Sequence, residues 1–492
     1  MTKGKESISR KSFLRLAGMA TVGTAVATTV GCSPKGGASG YGLDTGPIEF
    51  TKETDVLIIG TGGAGFFAAY APTKAGLSTI MVEKSASYGG DTMISAGLMP
   101  INGTVAQEQQ GIVDKSAEEV IEIYKDNINA HRLPEFLKMR IRNYVRVANI
   151  WTEEMGVEWT EFDPGYTKHF HVAAPGMGNQ HAILDPLYKT VVANGAEVLF
   201  ETKAISLIVD EDDKPVGLRT LDTITGEYID IKAKKICIAS GGFACNQEMI
   251  ATYLPNWASA RMITYTSMGE GILMAVPLGA GLEDMDSYTT MTMDNDKISC
   301  ASFYGPMIHV NPEGKRFCNE FKQHKVGQFI HDSQWTHLWT IFDEQLLNGA
   351  DHIKYAVTNV INEEGRTVKA DTIEELAELM FVPPAALAET MKNYNEMALA
   401  GEDTEFEKTV DQFLLPLSGP FYAAITRPIR YKTNGGLRID MNSQVTNDAD
   451  TPITNLFAAG SVTGICSPNV HDVCGCGLHA GEMMVKQLEE EA

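Results

Sequence analysis

Residues 54–84, TDVLIIGTGGAGFFAAYAPTKAGLSTIMVEK, constrain this chain more tightly than any other stretch. Residues 56–59 are an apolar run of strand type, and Gly60-Thr61-Gly62-Gly63-Ala64-Gly65 then follows the pattern Gly-x-Gly-x-x-Gly. An apolar helix comes next, followed by a second strand at residues 79–82 that ends at Glu83. In such a strand–turn–helix–strand unit Gly60 turns the chain and Gly62 lets the backbone approach a pyrophosphate at the helix start. Gly65 packs helix on strand, and Glu83 accepts hydrogen bonds from a ribose. Gly-x-Gly-x-x-Gly alone is weak, but here both strands, the helix and the acid stand at the required distances, which points to a dinucleotide site.

The 492 residues predict two or three structural units, and 44% apolar with 21% charged residues is a globular composition. A net charge of −23 argues against a nucleic-acid partner. Such acidity suits a basic electron-transfer partner, or solubility alone. Residues 1–32 read as an export signal: SRKSFLRLAG precedes a short apolar run that ends at Gly31-Cys32. The basic stretch resembles a twin-arginine signal with Lys11 in the second arginine's place. TVGC resembles a lipoprotein box with Thr29 in place of leucine, so a lipid anchor on Cys32 and simple cleavage both stay open. Residues 33–50 read as a flexible tether. The eight cysteines show neither a haem-attachment Cys-x-x-Cys-His nor a disulfide framework, and most are expected to be small buried side chains.

Three further features select the nucleotide. Residues 85–100, SASYGGDTMISAGLMP, form a second glycine-rich loop. A β-meander with turns at 210–214 and 225–227 returns on a strand ending in Ala-Ser-Gly-Gly-Phe at 239–243, and TNLFAAGSVTG is another strand ending in small residues. With Gly89-Gly90-Asp91-Thr92, Ser267-Met268-Gly269-Glu270-Gly271, NPEGKRFCNE (311–320) and Ala459-Gly460, this order resembles the FAD-binding fumarate reductase and succinate dehydrogenase flavoproteins, including their ketosteroid dehydrogenase relatives, over residues 54 to about 487. The resemblance implies an α/β fold: a glutathione-reductase-like FAD-binding domain at 51–288 and 433–492, with an inserted α+β capping domain at 289–432. Within that insertion, Thr372-x-x-Glu375 signals a helix start, and Pro383-Pro384 opens a helix that stops at Gly401. It implies FAD contacts at Gly60, Gly62, Gly63, Ala64, Gly65, Glu83, Lys84, Gly90, Asp91, Thr92, Ser95, Ala96, Gly97, Ala204, Ser240, Gly241, Gly460, Ser461, Gly477 and Leu478.

Fumarate reductases of this family hold two substrate carboxylates with two histidines and an arginine, and a cap arginine donates the proton. Here Met291 and Lys432 stand at the histidine positions, and no arginine occurs near NVHDVCGCGLHAG (469–481), so that clamp is absent. His324, followed by Lys325, takes the proton donor's place, and its ordinary pKa suits an acid near neutral pH. It also reads as a surface histidine in the polar run KQHK. The family's relay falls near Cys300 and Phe303 and is missing; Tyr304 is an alternative acid or a core tyrosine. His471 is a substrate-contact candidate because it lies near the lost clamp arginine. Trp151, Trp159, Tyr166, His169 and His171 roof a pocket or pack a domain. No metal site is expected: Cys466, Cys474 and Cys476 match no iron–sulfur spacing.

The leading expectation is an exported FAD-dependent reductase of an activated C=C bond in a conjugated small molecule. Its electrons would come from a separate cytochrome or flavin/quinol system. The alternatives are a flavin-dependent dehydrogenase of a ketosteroid-like ring and a non-catalytic FAD protein that relays electrons or binds a ligand.

Overall fold

The computed structural model describes residues 47–95, 99–113, 115–124, 134–159, 163–167, 170–173, 180–258, 260–262, 264–294, 298–299, 305–322, 333, 335, 338–348, 367–466 and 469–492. The chain runs through β1 (Phe50–Ile59), α1 (Gly63–Lys74) and β2 (Thr79–Val82), then α2 (Pro134–Glu153) and α3 (His181–Ala193). β3 (Glu197–Leu199), β4 (Thr202–Val209), β5 (Pro215–Asp222) and β6 (Tyr228–Ile238) follow. Next come β7 (Tyr288–Asp294), β8 (Ile298–Ser299), β9 (Met307–Val310), β10 (Leu338–Phe342) and β11 (Thr367–Ala370), then α4 (Ile373–Met380) and α5 (Pro384–Ala400). β12 (Phe421–Thr433), β13 (Gln444–Thr446), β14 (Pro452–Ala458) and α6 (Val470–Glu491) complete the path.

Two large sheets result. The first has the order β13-β14-β6-β1-β2-β3, with β4 and β5 added as the meander beside β6. Its centre, β14-β6-β1-β2-β3, is parallel. Parallel strands are covered on both faces, which is why residues 56–59 are an uninterrupted apolar run. Side chains alternate across the sheet: Val56 and Ile58 pack with Phe66, Phe67 and Trp151 on one face. Leu57 and Ile59 pack with Leu207, Ile236 and Ile272 on the other.

The second sheet has the order β8-β7-β12-β10-β9, with β11 and Arg261–Met262 also paired to β12. α4 and α5 cover it through Leu376, Met380, Leu387 and Tyr394. Their ends follow local chemistry: the Thr372 hydroxyl accepts the Glu375 N–H at 3.2 Å, and Gly401 caps α5 at φ 75°. Tyr288 of β7 stands opposite Thr433 of β12.

Candidate functional site

A cleft of about 830 Å³ opens at the C-terminal ends of the parallel strands, where α/β sheets place ligands. Its floor is the turn after β1. Gly60 holds φ +105°, and a Cβ there would lie 2.6 Å from the Ala239 carbonyl oxygen, so only glycine fits. Gly62, Gly63 and Ala64 line the cleft at the start of α1, with the Gly63 N–H donating to the Thr92 hydroxyl at 3.1 Å.

Glu83 directly follows β2 at 8% exposure and closes one side. Its carboxylate accepts from the Thr61 N–H (3.1 Å), the Thr61 hydroxyl (2.8 Å) and the Ser85 N–H (2.9 Å). Lys84 spans to the opposite rim, donating to the Thr266 carbonyl (2.8 Å) and to Glu270 (2.5 Å). Asp91 fixes the same rim by accepting from the Thr266 and Ser267 hydroxyls. Ala204, Ser240, Gly241, Gly90 and Ser461 line the remainder, and the buried Ser240 hydroxyl has no hydrogen-bond partner among the described residues.

A second cavity of about 660 Å³ adjoins the first and shares Asp91, Thr92, Ser267, Ser461 and Val473 with it. Ser95, Thr264, Thr433, Lys432 and Asn469 also border it. The Lys432 ammonium donates to the Asn469 side-chain carbonyl at 3.1 Å, which ties β12 to the start of α6.

Residues 55–478 match the family described as FAD binding domain. The chain belongs to this flavoprotein family. It is 31% identical over 449 residues to the probable fumarate reductase Ifc3 of Shewanella frigidimarina, covering 86% of this chain and 71% of that protein. It is 29% identical over 439 residues to urocanate reductase of Eggerthella lenta, covering 85% and 71% respectively. The open conformation of a flavocytochrome c3 fumarate reductase superposes with a TM-score of 0.71 at 29% identity, covering 89% of this chain and 79% of that one. FAD is the cofactor, and the chain is an FAD-dependent oxidoreductase acting on CH–CH bonds.

Four expected cofactor contacts of this flavoprotein stand behind the cleft wall. Gly65 packs against the Gly60 turn, Gly460 against Ala64, and Gly477 against the first turn of α1, while Leu478 is core. Ala96, Gly97, Tyr304, His324, Lys325 and His169 lie outside the described residues, as do the side chains of Tyr166, His171 and Met291. Trp151 is fully buried: it packs edge-on against Phe67 at 5.2 Å and donates to the Ile183 carbonyl at 3.2 Å. Trp159 packs on it at 6.3 Å, so both are domain packing.

His471 borders neither cavity; it is buried edge-on against Tyr144 at 5.1 Å. Beside it, Arg140 of α2 holds Asp472 with a bidentate pair at 3.2 and 2.8 Å. Burial alone would raise the Asp472 pKa, but the guanidinium keeps it below the usual carboxylate range. Cys474 abuts Gly63, whereas Cys466 and Cys476 face each other at 3.4 Å, so the three sulfurs do not converge. Among the described residues no three His, Cys, Asp or Glu side chains cluster as metal ligands.

Burial pushes His471, and His309 of β9, down to about 4 from 6.5. Both stay neutral in the folded protein while the unfolded chain binds protons, so their contribution is complete above pH 6.5 and is lost as pH falls towards 4. Melting temperature should therefore fall across this window, and His471→Gln should reduce the slope. An unchanged Tm-against-pH profile in that variant would refute the assignment.

Sequence reasoning missed Thr61, Thr266 and the Lys84–Glu270 and Arg140–Asp472 pairs. The acid of Lys84–Glu270 lay within a recognised motif, but its partner is 186 positions away.

Proposed function

We propose that this flavoprotein reduces an activated C=C bond in a conjugated organic acceptor and draws its electrons from a separate redox partner. The observation that carries this is the second cavity: it adjoins the cleft and, among its described lining residues, holds one cation, Lys432, and no arginine. That arrangement admits an organic acceptor beside the cofactor but supplies no two-carboxylate clamp. The relatives named for fumarate and urocanate reduction support the direction of the reaction.

The cleft fits FAD: it has a Cβ-free turn at the start of α1, an acid at the end of β2 and an unpartnered buried hydroxyl at Ser240. Gly62 and Ala64 would hold the pyrophosphate through backbone N–H groups, Gly60 and Gly63 would let it approach the turn, and Glu83 would hold the ribose. Thr92, Ser240, Gly241 and Ser461 would line the remainder. When bound, FAD supplies the electron pair that the double bond accepts. The start of α6 favours negative charge at its amides, and the paired Asp472 charge is offset there by Arg140. The proton is assigned to His324, with Tyr304 and Lys325 as further candidates. Export through residues 1–32, with Cys32 lipidated or the segment cleaved, belongs to the same reading, as does a cytochrome or flavin/quinol donor. The basic stretch and apolar run support export, while no helix among the described residues is long and apolar enough to cross a membrane.

The test is anaerobic mixing of the FAD-loaded protein with conjugated acceptors after viologen reduction. Acceptors should reoxidise the flavin. If none does, and saturated ketosteroids instead reduce the oxidised flavin, the dehydrogenase alternative replaces this reading. Glu83→Ala should weaken FAD binding by more than about tenfold, because a charged acceptor is lost; Glu83→Gln should fall between. Flavin retention on gel filtration reads both, and full retention in Glu83→Ala would remove this residue from the site.

A further inference from the structure

Two cysteines of the C-terminal segment stand in sulfur contact. Cys476 lies in the second turn of α6 and Cys466 precedes the helix; the Cys476 thiol donates to the Cys466 sulfur at 3.4 Å. A disulfide needs about 2.05 Å between sulfurs, so closing this pair takes a shift on the order of 1.4 Å shared between two side chains. The other described cysteines are placed differently. Cys237 lies inside β6 at 0% exposure, and burial pushes its thiol up to about 12. Cys474, also fully buried, packs on Gly63. Burial and the Glu320 carboxylate raise Cys318, and Cys245 is engaged with Thr264 at 3.1 and 3.2 Å.

Arg140 sets the electrostatics of the pair. Its guanidinium, held on Asp472 at 2.8 Å, is favoured by negative charge on either sulfur. The contact with Cys476 and burial hold Cys466 well above the usual thiol range, and Arg140 acts against them. Cys466 is therefore a thiol at neutral pH, and negative charge that develops on sulfur during reaction meets a fixed cation.

The segment between the two cysteines is a wall of the cofactor site. Val473 borders both the cleft and the second cavity, and Asn469 and Val470 border the second cavity. A covalent ring closed through residues 466 and 476 removes motions in which the start of α6 parts from the chain that leads into it.

We infer that Cys466 and Cys476 are a redox couple whose disulfide form fixes this wall and slows the release of FAD. The oxidant suited to so enclosed a pair is small, a hydroperoxide. Hydrogen peroxide converts one thiol to a sulfenic acid as its O–O bond breaks and one water leaves. The second thiol then attacks that sulfur, the S–S bond forms, and the sulfenic oxygen departs as a second water. Together the sulfurs lose two electrons and the peroxide gains them. An external dithiol reverses the step by exchange and is itself oxidised to a disulfide.

The test treats the FAD-loaded full chain with hydrogen peroxide, alkylates the remaining thiols under denaturing conditions and cleaves before Asp472, which puts Cys466 and Cys476 on separate peptides. Mass spectrometry should find those peptides joined and Cys474 alkylated. Dithiothreitol before alkylation should part them; Cys474→Ser should keep the link, and Cys466→Ser should lose it. FAD release, followed as the rise of flavin fluorescence after dilution, should be slowed about threefold or more by peroxide in the parent chain. Peroxide should leave that rate unchanged in Cys466→Ser, and Cys476→Ala provides a second variant should the first fail to fold. Thiols that all stay alkylatable, a link to Cys474 or any other cysteine, or oxidation that ends at sulfinic acid overturns the couple. A Cys466–Cys476 link that leaves the rate of FAD release unchanged overturns its role at the cleft.

Discussion

Gly477→Val is expected to abolish FAD binding and to destabilise the protein by more than the ~1–3 kcal/mol usual for an overpacked core. A Cβ at Gly477 would lie 2.2 Å from the Ala64 carbonyl oxygen and 3.0 Å from its Cα. These are backbone atoms of the first turn of α1, so no rotamer change can relieve the clash. The helices must separate instead, and Ala64 and Val473, which both line the cleft, must move apart. Gly477→Ala should be milder but in the same direction. Flavin content after purification and thermal unfolding measure both, and a Val variant with full flavin content would show that α6 can shift without disturbing the cleft.

The second large effect lies in the unit that carries the second sheet. Arg316 donates to Glu320 at 2.8 and 3.0 Å and to Asp403 at 2.7 Å, and Lys408 lies 3.2 Å from Glu320. All four side chains are at most 2% exposed. Arg316 also lies over the Tyr394 ring at 5.1 Å and the Phe406 ring at 5.0 Å. Arg316→Met would leave two buried carboxylates facing one ammonium, a change that costs about 3–5 kcal/mol when a buried pair is broken. Burial alone would raise Glu320, but Lys408 and Arg316 hold it down to about 2 from 4.5. Its contribution to stability is present above pH 4.5 and is lost as pH falls towards 2. With the guanidinium gone, Glu320 should protonate at higher pH and acid unfolding should begin earlier. Hydrogen exchange across residues 305–322 and 384–414 should rise by orders of magnitude; unchanged protection there would show that the network is dispensable.

The parts of this molecule that local chemistry dictates were legible in the sequence. The 60–65 turn, the acid at Glu83 and the two meander turns follow from spacing alone, because each is decided within a few residues. So do the Thr372 cap and the stop at Gly401. Packing between distant segments was not legible. Gly477 reads as one half of a Gly-x-Gly beside a cofactor, yet the structure places it against α1, which is more than 400 positions earlier. Arg316 and Asp403 are common surface residue types, and nothing in their neighbours announces a buried pair 87 positions apart. The second cavity was legible only as the substitution at Lys432, because its other walls come from segments that folding brings together.

The order in which the walls of the cleft are synthesised has a consequence for maturation. The first wall is made at residues 59–64 and the last at Ser461 and Val473. A ribosome must therefore translate past residue 473 before the cleft is closed. A message truncated before codon 461 yields a polypeptide with an intact glycine turn but an open-sided cleft.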